Sequence, residues 1–286
     1  MNLRAELEHV PSSLEPSPWR GHEHVRGYGV FGLPLSSGHV LALRVFPVND
    51  FAPYVTVWHR TPDGTWSIYY DAPRPDVACP RYYGPAARHV VPSAIALEWR
   101  SASELRIRVE EPRLDWTVWM REPRLLRAVN AVGGRMPLWT WRAAPLLRAR
   151  ERMAQQLGMG AVKLAGRMPS GHSGVLMPQR LYFVERARAA MAGVDLGAPV
   201  RLRENPTIGG VPLPARGIFA VGQAHWEILD AAEYHRTRRE LAAETTPYSS
   251  SASIRAAVQT TTIRSSGSFA AACGNASAMR RSSDRG

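Results

Sequence analysis

Along much of this chain, apolar side chains recur at every second position. The clearest run is Tyr54-Val55-Thr56-Val57-Trp58-His59-Arg60, then Thr61-Pro62-Asp63-Gly64, then Thr65-Trp66-Ser67-Ile68-Tyr69-Tyr70. Proline presets the turn's first φ, and aspartate and glycine tolerate the positive φ that closes it, so the segment predicts a β-hairpin. A three-strand meander is expected next. Ile95, Leu97 and Trp99 alternate with Glu98 and Arg100; Leu105, Ile107 and Val109 with Arg106 and Arg108; Leu114, Trp116, Val118 and Met120 with Asp115, Thr117 and Trp119. That spacing puts one face inside and one in water. On a helix Arg106 and Arg108 would stand about 200° apart and could not share a polar side. Upstream, 27–33 and 39–46 flank Pro34-Leu35-Ser36-Ser37-Gly38 as another strand–turn–strand unit.

The period changes beyond residue 120. Segments 125–132 and 137–157 have helical character, broken at Gly133-Gly134. In the second, Leu146, Ala149, Met153 and Leu157 recur at three- and four-residue steps after a first-turn Pro145, and Gly158 and Gly160 stop the pattern. Strands are expected again at 161–167 and 179–184, with a short helix over 187–192. The last strand, 217–228, is apolar on both faces apart from Gln223, His225 and Glu227. Beyond Arg239 the chain turns to Ser, Thr, Ala and Arg, which cannot bury enough surface to offset ordering entropy. The expected organisation is mainly β: an antiparallel β-barrel over 25–232 with a helical insert at 125–157, an irregular arm over 1–24 and a disordered tail over 240–286. Closure is expected because strand 217–228 needs cover on both faces.

At 286 residues, 45% apolar and 21% charged, the chain has material for a real core. No run of about 18 apolar residues offers a membrane-spanning helix. The start carries Glu6, Glu8 and Glu15 where a secretory leader would be apolar, so a cytoplasmic location is expected. The formal charge of +12 invites a nucleic-acid reading, but the excess is local. Segment 121–160 holds eight arginines against Glu122 and Glu151, and another +4 lies beyond residue 244. No nucleic-acid partner is expected; segment 121–160 is a candidate for peripheral contact with an anionic membrane surface. Trp139 and Trp141 beside Arg142 fit an interfacial helix, covering the barrel being the alternative.

Familiar catalytic motifs are missing: no phosphate loop, dinucleotide fingerprint, nucleophile elbow or His-Glu-x-x-His, and no cofactor is expected. Cys79 and Cys273 make no framework, and Cys79, beside Pro80, Tyr82 and Tyr83, reads as a small buried filler. His22-Glu23-His24 lacks a third ligand at a telling distance, so it reads as solvated arm with no metal expected. His59 shares a strand face with Val55 and Val57; it is either a general acid–base or a histidine satisfied by a carbonyl at the strand's mouth. Gln223, His225 and Glu227 stand about 6–7 Å apart along one face. They could orient the polar group of an oily ligand or transfer protons, the alternative being exposure at the barrel's end. Asp71, Arg81, Tyr82 and Tyr83 cluster among prolines as a lid or as simple loop packing. The candidate catalytic residues are therefore His225, Glu227 and His59, and the candidate ligand-binding residues Gln223, Trp58, Tyr70, Tyr82, Tyr83 and Trp116.

The hairpin from Val57-Trp58-His59-Arg60 to Trp66-Ser67-Ile68-Tyr69-Tyr70-Asp71, with the following Cys79-Pro80-Arg81-Tyr82-Tyr83-Gly84, resembles the lipocalin-like β-barrels of bacteria. That broad group includes carotenoid hydratases and related uncharacterised proteins, and the likeness of texture spans residues 27–230. The resemblance implies an apolar barrel that holds isoprenoids, polyketides or lipids, with cofactor-free hydration or cyclisation in some members. The insert and the single barrel's worth of strands depart from the hydratase pattern, and no catalytic residue is carried over. The expected function is binding of a small hydrophobic molecule in a barrel cavity. The alternatives are a cofactor-independent lyase, isomerase or cyclase in that cavity, and a membrane-peripheral protein acting through the basic insert.

Overall fold

Where the side chains alternate, the chain forms strands. The structure, a computed structural model, describes residues 2–8 and 19–244. Its elements in chain order are α1 (Leu3–Glu8), β1 (His22–Pro34), β2 (Val40–Asn49), β3 (Tyr54–Arg60), β4 (Trp66–Asp71), α2 (Pro80–Tyr83), β5 (His89–Pro92), β6 (Ile95–Trp99), β7 (Glu104–Val109), β8 (Leu114–Arg121), α3 (Arg124–Gly133), α4 (Ala144–Ala154), β9 (Ala165–Arg167), β10 (Ser173–Met191), β11 (Val194–Asp195), β12 (Thr207–Ile208), β13 (Val211–Pro212), β14 (Ile218–Glu227) and α5 (Ala231–Ala243). The predicted hairpin is β3–β4, its turn closed by Gly64 at φ 96°. The predicted meander is β6–β7–β8.

These strands build one 12-stranded sheet with the main order β5-β4-β3-β2-β1-β14-β10-β8-β7-β6. All neighbours run antiparallel except the parallel pair β4–β5, so the sheet is mixed. Its two edge strands, β5 and β6, are joined by only Ser93 and Ala94, which forces the sheet to curl into a half-barrel.

Alternation divides the central strands into two faces. Leu41, Leu43, Val45, Val55 and Val57 point into the curl and meet Leu105, Ile107, Trp116, Val118, Tyr182 and Phe219 from the far strands. Leu3 and Leu7 of α1 are buried in the same cluster. Glu6 fixes that helix, accepting from the Tyr182 hydroxyl and pairing with Arg180 at 2.8 Å. The inside of the curl is thus a packed core. On the outer face Ala42, Phe46, Tyr54, Trp58 and Ile68 are buried too, beneath α2 and a segment carrying Ile208 and Leu213.

Several expectations need correction. The arm over 1–24 contains α1 and the first turn of ladder in β1, where His22 pairs with Glu227. Segment 187–192 is not helix: Ala187–Met191 are strand and pair with Val118–Leu114 of β8, a ladder that overrides alanine's helical preference, and Ala192 begins the turn that follows. Only Ala165–Arg167 of segment 161–167 is strand. The tail expected from residue 240 is still helical to Ala243, because Asp230 caps α5 by accepting from the amides of Ala232 and Glu233. Residues 245–286, and Cys273 with them, lie outside the described residues.

The helical insert forms as α3 and α4 and packs on β10. Asn130 of α3 holds the backbone of Leu181 from both sides, donating to its carbonyl at 2.9 Å and accepting from its amide at 2.8 Å. Trp141 and Leu147 pack with Trp19, Leu164 and Met177. No helix among the described residues is long and apolar enough to cross a membrane.

Candidate functional site

The cover on the outer face does not fill the space above the sheet. Between them lies an apolar cavity that opens in part to solvent. Its floor includes Gly27 of β1 and Gly222 of β14, which stand opposite each other in register. A Cβ on Gly27 would lie 1.9 Å from the Val45 carbonyl oxygen, and one on Gly222 would lie 2.2 Å from that of Met177. Only glycine permits so close a backbone approach, and the pair leaves the sheet bare at that point. Aromatic walls rise around it: Phe46, Tyr54 and Trp58 from the sheet, Tyr82 and Tyr83 from α2. Met159 and Leu164, from the end of the insert, close another side.

Arg44 lines this cavity from the middle of β2 and is only 6% exposed. Its Nη1 donates to the carbonyls of Val30 (2.7 Å) and Leu43 (3.0 Å), and its Nη2 to that of Phe31 (3.3 Å). The guanidinium carbon stands 4.0 Å from the Phe31 ring centroid and 4.8 Å from that of Trp58. No carboxylate among the described residues pairs with it. The polar groups that face it are the Cys79 thiol and the Tyr54 and Tyr83 phenols, and burial pushes all three above their ordinary values. They are neutral at pH 7. Burial also opposes the charge on Arg44, yet a guanidinium does not give up its proton in a protein. The cation is therefore held by carbonyl dipoles and ring faces alone, an arrangement that is costly without a counter-charge.

A second buried charge beside the cavity is fully paired. Glu23 of β1 is 1% exposed and accepts from Arg81 Nε at 3.2 Å, from Arg81 Nη2 at 2.8 Å and from the Tyr82 hydroxyl. Burial raises the Glu23 carboxyl above its ordinary value, against the pull of Arg81. This triad clamps α2 to β1, and through the Tyr82 ring, 5.1 Å from that of Trp226, it props one wall.

Of the residues singled out from sequence, Trp58, Tyr82, Tyr83 and Gln223 line the cavity. Gln223 Oε1 is held 2.9 Å from His24 Nε2. Tyr70 lies outside, half-buried in a shallow groove with Pro92 and Glu111. Trp116 is fully buried in the core inside the curl. His225 is fully buried as well, stacked between His24 (centroids 4.8 Å apart) and Trp19 (4.5 Å). Burial, with help from His24, His22 and Arg142, lowers its pKa to about 3. His59 meets His39 instead, Nε2 to Nδ1 at 2.7 Å, and burial lowers it to about 4. Both imidazoles are neutral at pH 7, and neither borders the cavity. Glu227 is exposed at the end of β14. The structure thus gathers four of the candidate binding residues and none of the candidate catalytic ones. No protein-family model, curated protein or solved structure matches this chain.

Arg44 and Glu23 escaped the reading of the sequence. Arg44 had a visible signal, being the lone charge in Val40-Leu41-Ala42-Leu43-Arg44-Val45-Phe46. Period-2 reasoning assigns such a residue to a wet face, but β2 has none. Glu23 was masked by its two histidine neighbours, which draw attention to metal chelation.

Proposed function

We propose that this chain binds a small hydrophobic molecule, of the lipid, isoprenoid or polyketide kind, in the cavity on the outer face of the curled sheet. The observation that supports it is the hollow itself, walled by tyrosine, tryptophan and aliphatic side chains around a few fixed polar groups, the usual make-up of a small-molecule site. The resemblance to lipocalin-like barrels and a cytoplasmic carrier role belong to the same proposal, with the ligand moved from inside the curl to its outer face. A cofactor-free lyase or isomerase finds less support, because His225, Glu227 and His59 all stand away from this cavity. The test is titration with dodecanol, a neutral alkyl probe, followed by tryptophan fluorescence, since Trp58 and Trp226 line the site. Saturable quenching that disappears when Leu176→Trp fills the cavity supports binding; no saturable change in the folded protein refutes it.

One observation favours a second reading, peripheral contact of the insert with an anionic lipid surface. Leu125, Val132, Trp139 and Leu146 are exposed large apolar side chains on that segment, interspersed with exposed Arg124, Arg127, Arg148 and Arg152. Cosedimentation with anionic vesicles that is lost in the Arg148→Gln, Arg152→Gln double variant supports it, and cosedimentation unchanged by that variant refutes it.

A further inference from the structure

Arg44, which lines the cavity, and Arg81, next to the wall residue Tyr82, are treated very differently. Arg81 has a buried carboxylate, Glu23, at 2.8 Å. Arg44, the more deeply buried of the two, has three backbone carbonyls and two aromatic rings. Of its five N–H groups three are taken, leaving the one on Nε and one on Nη2 without an acceptor among the described residues. Nε and Nη2 share one edge of the guanidinium plane. That edge is the one that meets a carboxylate through two parallel hydrogen bonds. The carbonyl contacts and the ring faces hold the plane in place, so little freedom is lost when an anion arrives.

We propose that the molecule held in this cavity is an amphipathic carboxylic acid, and that Arg44 receives its carboxylate while the aromatic and aliphatic walls take its alkyl body. This rests on the binding reading above and goes further, in naming the head group and the residue that selects it. One guanidinium edge matches one planar, singly charged group. A phosphate monoester would ask for further cations. The other cation at the cavity, Lys163, is 62% exposed and already faces Glu151 at 3.4 Å. Tyr54, Tyr83 and Cys79 surround the head-group position with neutral polar groups and bring no competing negative charge.

The experiment compares dodecanoate, dodecanol and dodecyl phosphate on the full-length chain by calorimetry at about pH 8, in wild type, Arg44→Met and Arg44→Lys. The expected result is dodecanoate at least about tenfold tighter than dodecanol in wild type, the scale of one charge-assisted pair. In Arg44→Met that preference disappears, dodecanoate losing at least about tenfold more affinity than dodecanol, and Arg44→Lys retains part of the preference. Equal affinities for acid and alcohol in wild type overturn the head-group assignment and leave the hydrophobic site standing. Tighter binding of dodecyl phosphate than dodecanoate overturns it in favour of a phosphate. Failure of all three probes to bind the folded protein overturns both proposals. Should Arg44→Met not fold, the wild-type ratio and Arg44→Lys still decide.

Discussion

The inner and outer faces of β1–β4 are cut from the same residues by alternation, yet one is solid and the other hollow. Inside the curl, sheet meets sheet: Leu43, Val57, Trp116 and Phe219 interdigitate, and α1 adds Leu3 and Leu7. Outside, the sheet meets irregular cover from α2, the end of the insert and the segment around Leu213. Regular strands bring side chains at fixed spacing and close-pack; short turns and loops do not, and the Gly27–Gly222 pair puts no side chain into the gap. The buried charges follow the same division. Where the cover is tied down, at Glu23 and Arg81, both signs are present; where it stands off, at Arg44, only one is.

The sharpest way to break this contrast is to truncate one tryptophan on each face. Trp116→Ala, inside, is expected to cost about 3–5 kcal/mol in urea unfolding while leaving dodecanol affinity of the folded protein intact. Trp58→Ala, outside, enlarges a space that already exists, so it should cost about half as much and weaken dodecanol binding; equal costs with equal affinities would erase the distinction. Next come the two buried charges. Glu23→Ala leaves Arg81 with the partly exposed Glu233 carboxylate at 3.5 Å and is expected to cost about 3 kcal/mol, whereas Arg44→Met, which removes a cation that has no carboxylate, should cost no more than about 1 kcal/mol.

Acid acts on the same fold through two buried histidines. Unfolded histidines bind a proton near pH 6.5, whereas His59 and His225 in the fold do so only near 4 and 3. Between those values the unfolded chain holds more protons, so stability is full above about pH 6.5 and is lost as pH falls towards 4. The urea midpoint should decline over that range, and His225→Gln should flatten the decline; a slope unchanged by that variant would show His225 titrating normally. The least effect belongs to the cap of α5. Asp230→Ala removes the cap that accepts from Ala232 (2.8 Å) and Glu233 (3.0 Å), and is expected to lower stability by about 1 kcal/mol.

Strand positions were readable because the alternation at 54–70 and 95–120 is a local property that folding preserves. The helix at 231–243 was not, since its composition is polar and its hold on the body comes from a distant partner, the Tyr234 hydroxyl donating to Asp50 at 2.8 Å. Nor could sequence say which side of the curl would be hollow. Trp58 and Trp116 look alike as members of alternating strands, and only the cover over Trp58 distinguishes them. His225 misled because three polar residues on one strand face look like a site, when here β1 brings His24 and the neighbouring segment brings Trp19 to bury it. Arg44 required knowing that β2 is covered on both faces.

Photolabelling with an alkyl diazirine, mapped by peptide mass spectrometry, tests the location of the site most directly. Adducts are expected at cavity residues such as Met159, Leu176 and Tyr83, competed away by dodecanol, with none at Trp116 or Tyr28. Adducts inside the curl, or labelling that dodecanol does not compete, would contradict a ligand site on the outer face.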